Sequence, residues 1–290
     1  MKAARETGGG MKTVGEVLTI SAVYLESKGC VGFRRDLELF MAGVIGCTRL
    51  GLYCAFDRPL DQLELDRLRL GLAKLGQGMP LAYVEGAVDF FGARIGVGPG
   101  VLIPRQETEL LAERVATHIE QRGAHGVLWD VCTGSGCLGI SLKKKLPELE
   151  VVLSDISPVA LDYAKQSAFV NGVAVERLLG DLMAPFGDRQ ADYMVCNPPY
   201  VSEEEYAVLD PSVRDFEPVL ALLAGPRGVE LYERLACQVK KQLRPGGLVW
   251  LELPAHRADE IKKMFTHSGF AATLLFDLAS KPRFLELALT

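Results

Sequence analysis

No apolar run in this chain approaches the roughly 20 residues that a membrane-spanning helix needs. The stretch from Met1 to Gly10 also lacks the apolar centre of a secretion signal. No Cys-x-x-Cys pair occurs: the cysteines fall singly at 30, 47, 54, 132, 137, 196 and 237. An odd number without a framework excludes a disulfide scaffold and fits reduced thiols in a cytoplasm. Histidine is scarce, and His118, His125, His256 and His267 form no metal-ligand spacing with the cysteines, so no metal centre is expected. Positive charge is not in excess either. A formal net charge of -5 argues against a protein that holds nucleic acid by bulk electrostatics. Neither stable nucleic-acid binding nor membrane binding is expected.

What is present is enough for a large core. With 290 residues and 49% hydrophobic content there is room for one large domain and a small one. Residues 1–11 read as a disordered leader. Residues 12–78 pattern as helices only: one carries Val14, Val17, Leu18, Val23 and Leu25, a second Leu37 to Ile45, and a third runs from Asp61 to Leu75. Such a unit is too small for much chemistry and suits substrate docking. Residues 79–104 are Gly-punctuated and β-prone, predicting a hairpin linker. A helix from about Glu107 to Gln121 follows, with Thr108 as a candidate cap.

Residues 105–290 make up the larger domain. Strand-like runs at 127–131, 150–155, 175–179, 193–196 and 247–253 alternate there with helical segments near 138–146, 158–171 and 228–243. That alternation predicts an α/β fold with a parallel sheet and crossover helices. Ala272–Leu278 and Arg283–Leu289 are separated only by Ala279 to Pro282, and so short a link requires an antiparallel pair. A mostly parallel sheet ending in an antiparallel hairpin is the Rossmann-like class I methyltransferase arrangement.

The loop after the first of these strands runs Asp130-Val131-Cys132-Thr133-Gly134-Ser135-Gly136-Cys137-Leu138-Gly139. Gly134 and Gly136 let a ligand approach the backbone, and the helix that follows offers free N–H groups to a carboxylate. The G-x-G-x-x-G spacing alone is a weak signal. Asp130 sharpens it, because an acid there suits the ammonium of a methionine moiety and would repel a pyrophosphate. S-adenosylmethionine is therefore favoured over NAD. Cys132, Thr133 and Ser135 complete the loop, with Cys132 and Cys137 read as small, inert turn residues. Asp155 ends the next strand, where an acid takes the ribose hydroxyls of either cofactor. Asp181 either receives the adenine amino group or serves a turn, and Leu182 packs near the adenine face.

Asn197-Pro198-Pro199-Tyr200 follows the strand-like run 191–196. The Asn197 side-chain oxygen and the Pro198 carbonyl are two acceptors on a turn stiffened by Pro198 and Pro199. Tyr200 offers a ring face for stacking. The segment is also good turn chemistry. As a site, with Asn197, Pro198 and Tyr200 catalytic and Pro199 in the substrate wall, it grips a planar nitrogen by both hydrogens. A side-chain amide and the exocyclic amine of adenine fit it equally, which leaves an adenine-N6 DNA or RNA methyltransferase open.

Across residues 12–290 the chain resembles the release factor glutamine methyltransferases of the HemK/PrmC type. The resemblance is carried by Pro80 to Gly86, by Leu102-Ile103-Pro104-Arg105-Gln106-Glu107-Thr108-Glu109, by the glycine loop with Asp155, and by Asn197 to Tyr200. Arg214-Asp215-Phe216-Glu217-Pro218 with Ala221-Leu222 adds to it. It implies methylation of the amide nitrogen (N5) of the glutamine in the Gly-Gly-Gln motif of peptide chain release factors. S-adenosylmethionine would be the methyl donor, and the N-terminal helical domain would help to hold the release factor. Arg105, Glu107 and Glu109 would then shape the pocket or the interdomain joint, or form an ion-pair network. A cytoplasmic monomer is expected. The chain departs from the family pattern at Gln106, at Leu251 to His256 in place of a Glu-x-Gly segment, and at Asp277 to Arg283 in place of a Gly-rich turn.

Overall fold

The computed structural model describes residues 12–289; the leader expected over 1–11 lies outside the described residues. The chain divides into two compact units, one up to Glu85 and one from Gly86 onward. The stretch 79–104 is shared between them: residues 81–85 form a helix of the first unit, and residues 87–96 form a hairpin of the second.

The first unit comprises α1 (Val14–Ser27), α2 (Arg34–Ile45), α3 (Arg49–Cys54), α4 (Gln62–Leu75) and α5 (Leu81–Glu85). Capping boxes start two of these helices, Thr13 with Glu16 on α1 and Asp61 with Glu64 on α4. Gly46 ends α2 in the left-handed conformation at φ 73°. Val14, Leu25, Leu37, Met41 and Leu52 fill the core. The short α3 has too few residues for a periodic signal, and sequence reading misses it.

The second unit opens with the β1 (Ala87–Phe90) and β2 (Ala93–Gly96) hairpin and α6 (Gln106–Gln121). The alternating body follows as β3 (Gly126–Val131), α7 (Cys137–Lys145), β4 (Leu149–Asp155), α8 (Pro158–Val170), β5 (Glu176–Leu179) and β6 (Ala191–Cys196). Short pieces come next: β7 (Val201–Ser202), α9 (Glu203–Ala207), α10 (Pro211–Arg214), α11 (Val219–Leu222) and β8 (Leu223–Gly225). The unit closes with α12 (Glu230–Gln238), β9 (Leu243–Glu252), α13 (Ala258–His267), β10 (Phe270–Phe276) and β11 (Pro282–Leu289).

Among the described residues, seven strands form one sheet in the order β10-β11-β9-β6-β3-β4-β5. The five strands from β9 to β5 run parallel, and β11 is antiparallel to both its neighbours. This is the α/β, Rossmann-like sheet with a C-terminal hairpin that the strand spacing predicts. Trp129, Val131, Met194, Cys196, Val249 and Leu251 are buried on its strands, and the Trp129 ring stacks on Phe186 at 3.9 Å. Register then decides where chemistry is possible. Val131 lies opposite Ser154 and Cys196, and Cys196 lies opposite Leu251. The next residues along these strands are Cys132, Asp155, Asn197 and Glu252, so all four reach the carboxyl edge of the sheet together.

Candidate active site

A cavity of about 360 Å³ opens at that edge, entirely within the second unit. Asp130, Cys132, Thr133, Gly134 and Ser135 line one side of it, Asp155 and Leu182 another, and Asn197 and Pro199 a third. Gly136, Pro198, Tyr200, Arg105 and Glu107 are not among its lining residues.

The glycine loop is held from below by carboxylates. Asp130 is 1% exposed, and its Oδ2 accepts from the Thr133 hydroxyl at 2.6 Å and from Gly139 N–H at 2.8 Å. Burial pushes this carboxyl up to about 7, against the pull of those two donors. A side chain at Gly139 would have its Cβ 2.3 Å from a Leu153 methyl, so only glycine lets α7 come this close to the sheet. Gly136 precedes α7 at φ 83°, where glycine is the natural choice. Asp155 accepts Gly134 N–H at 2.8 Å on one oxygen and Ser157 N–H at 2.9 Å on the other; burial raises its proton affinity as well. Cys132 and Leu182 hold left-handed backbone at φ 56° and 48° without being glycine, a conformation that concentrates at functional sites.

Asn197 stands one residue beyond β6. Its Nδ2 donates to Thr108 Oγ1 at 3.3 Å, and the Thr108 hydroxyl donates to Glu252 Oε2 at 2.7 Å. Thr108 is 2% exposed and Glu252 is 3% exposed. Thr108 therefore does not cap α6 as expected: Arg105 occupies the cap position with no side-chain cap bond, and the Thr108 hydroxyl is spent on Glu252. Burial first, and then the charge of Glu107, push the Glu252 carboxyl up to about 7. Tyr200 is largely enclosed, and its phenol is pushed up to about 12 by burial and by Glu252. Beyond Tyr200 the chain is pinned at once. β7 pairs with β8, and Gly228 packs so closely that a Cβ there would lie 2.6 Å from the Tyr200 carbonyl oxygen.

A family model described as the methyltransferase small domain matches residues 106–215, and one described as the PrmC N-terminal domain matches residues 16–86. A release factor glutamine methyltransferase from Chlamydia trachomatis is 44% identical over 274 residues, covering 94% of this chain and 93% of that protein. The chain belongs to the release factor glutamine methyltransferase family. Another protein of that name, from Geobacter sulfurreducens, is 35% identical over 258 residues and covers 89% of this chain and 90% of its own. The solved methyltransferase of Pyrococcus furiosus superposes with a TM-score of 0.51 at 18% identity, over 68% of this chain and 89% of that one, a likeness of fold alone.

In this member of the release factor glutamine methyltransferase family, the charged residues of the 105–109 segment take separate roles. Arg105 forms an ion pair with Glu217, which also accepts Ile103 N–H at 3.0 Å. Glu109 accepts Phe91 N–H at 2.7 Å and so fixes the turn of the β1–β2 hairpin. Glu107 faces Glu252 and Tyr200 electrostatically. Asp181 borders the cavity, but its Oδ2 is engaged by Arg234. Sequence reading misses Thr108 and Glu252 as site residues. The one available signal is an acid in the last buried parallel strand, within the stretch Leu251 to His256 that departs from the family pattern.

Proposed function

We propose that this chain transfers a methyl group to the side-chain amide nitrogen (N5) of the glutamine in the Gly-Gly-Gln motif of peptide chain release factors. The observation that carries the reading is Asn197. Its NH2 is committed to Thr108, which leaves its side-chain oxygen, on a residue that lines the cavity, to accept a hydrogen of an amide. The names of the relatives support the substrate, and the helical first unit is the natural docking module for it.

S-adenosylmethionine supplies the methyl group when bound, and the residues around the cavity fit it. The glycine loop allows close approach, and Asp130 would hold the ammonium. Asp155 keeps lone pairs for ribose hydroxyls beyond its two backbone bonds. Leu182 would pack on the adenine, and Asp181 would offer its oxygen not engaged by Arg234 to the adenine amino group. Cys132, Thr133, Gly134, Ser135 and Gly136 would form the cradle.

An amide nitrogen is a poor nucleophile because its lone pair is delocalised into the carbonyl. Two acceptors, Asn197 Oδ1 and Pro198 C=O, orient that nitrogen and favour the positive charge that develops on it. Positioning supplies most of the acceleration, up to about 7–11 kcal/mol in well-aligned systems. The proton becomes acidic only as the new bond forms, so no strong base is required. Tyr200 and Pro199 wall the amide plane. We read the enzyme as a cytoplasmic monomer.

Incubation with labelled S-adenosylmethionine and a release factor, its Gln-to-Ala variant in the Gly-Gly-Gln motif, or duplex DNA tests the reading. Label is expected on the intact release factor only. Label on DNA and none on the release factor would establish the adenine-N6 reading instead.

A further inference from the structure

We propose that Thr108 and Glu252 are positioning residues that decide which end of the Asn197 carboxamide faces the substrate. The inference rests on the proposed amide-methylating function. A carboxamide has nearly the same shape either way round, but its ends have opposite hydrogen-bonding character. Only the oxygen accepts hydrogens from a glutamine amide; the NH2 end would meet donor with donor.

The polarity of the chain of contacts settles the choice. An ionised Glu252 only accepts, so the single Thr108 proton goes to it at 2.7 Å. Thr108 Oγ1 then faces Asn197 with lone pairs alone, and takes Nδ2 at 3.3 Å. The three groups come from separate elements, the edge beyond β6, α6 and the end of β9, and Thr108 and Glu252 are enclosed. Protonation of Glu252 reverses the logic, because a carboxylic acid can donate to Thr108 and free the hydroxyl proton to turn toward Asn197. The groups facing Glu252 are Glu107, which favours its proton, and Arg105 and Arg283, which oppose it. Tyr200, Tyr232 and Cys137 also sense its charge. With burial dominant the carboxyl is held up to about 7, so orientation is lost as pH falls through that value.

The test compares Thr108→Val, Thr108→Ser and Glu252→Gln in the full chain. Turnover and KM on a release factor, cofactor affinity by calorimetry and thermal melting are measured for each. Thr108→Val keeps the packing and loses both hydrogen bonds; its kcat is expected to fall about 10- to 100-fold, with cofactor affinity little changed. Thr108→Ser restores the hydroxyl and most of kcat. Glu252→Gln removes the acid limb of the wild-type kcat profile. The proposal is overturned if Thr108→Val matches wild type, if Thr108→Ser is as impaired as Thr108→Val, or if the acid limb survives in Glu252→Gln. Exchange of the Asn197 side-chain NH2 protons, followed by NMR, reads the orientation without activity. Slow exchange in wild type and fast exchange in Thr108→Val support the proposal; equal rates overturn it. An inactive wild type with slow exchange would count against the functional reading instead.

Discussion

Arg105 and Glu217 form an ion pair whose carboxylate is enclosed while the guanidinium still reaches solvent. Through it the start of α6 is stapled to the segment before α11, and Pro104 and Pro218, beside the paired residues, both line the cavity. Replacing Arg105 by Met leaves a buried carboxylate with Ile103 N–H as its remaining donor. Breaking a buried pair from one side costs on the order of 3–5 kcal/mol, and partial solvent access puts this case at the low end. Denaturant unfolding should register that loss, and cofactor affinity should weaken with it. Unchanged unfolding in Arg105→Met would contradict the staple.

Gly228 tests the mount of the Asn197 turn. It sits at φ 77°, and a Cβ would lie 2.6 Å from the Tyr200 carbonyl oxygen and 3.1 Å from Ser202 N. Backbone is met on both sides, so neither can swing away. Gly228→Ala is expected to displace residues 200–202 and cost about 1–3 kcal/mol as an overpacked, strained site. Turnover on a release factor should fall by more than cofactor affinity. Equal losses in both would mean that the turn and the cofactor loop move as one.

Asp155 carries two backbone N–H groups as well as its proposed cofactor contact. Asp155→Ala strands both donors, at roughly 1–3 kcal/mol for each that water does not reach. Calorimetry should show a fall in S-adenosylmethionine affinity far larger than the fall in saturated kcat. A saturated kcat that drops as much as affinity would place Asp155 in the chemical step.

Stability should carry the mark of Glu252. A carboxyl held up to about 7 when folded and at 4.5 when unfolded stays protonated in the native state while the unfolded chain ionises. Stability is therefore fully present below about 4.5, falls as pH rises through that window, and is flat above about 7, a loss on the order of 3 kcal/mol. Asp130, also held up to about 7, slopes the same way in both proteins and cancels in a comparison. Glu252→Gln should melt well above wild type at pH 8, with the advantage shrinking toward pH 5. A constant difference across that range would show that the carboxyl is not held protonated.

The strands and their parallel order were legible because buried β-branched and aromatic runs separated by helical stretches leave little choice of fold. Asp130, Asp155 and Asn197 are legible as cavity residues because each lies at or next to the carboxyl end of such a run. Thr108 reads as a cap because a threonine near a helix start commonly serves as one, whereas its hydroxyl partner lies 144 residues away. Glu252 falls within the strand-like run 247–253 and the stretch that departs from the family pattern, and its hydroxyl partner on α6 cannot be read from spacing. α3, α9, α10 and α11 span four to six residues each, and β7 only two, too short for any period to register.

β9 lies between β6 and β11, and Glu252 faces Phe284 across that last pairing. A chain made from its N-terminus has the glycine loop, Asp155 and the Asn197 turn in hand before residues 282–289 exist. The strand beside Glu252 is thus the last part of the sheet to be made, so the carboxylate that meets Thr108 gains its β11 neighbour only when the chain is nearly complete.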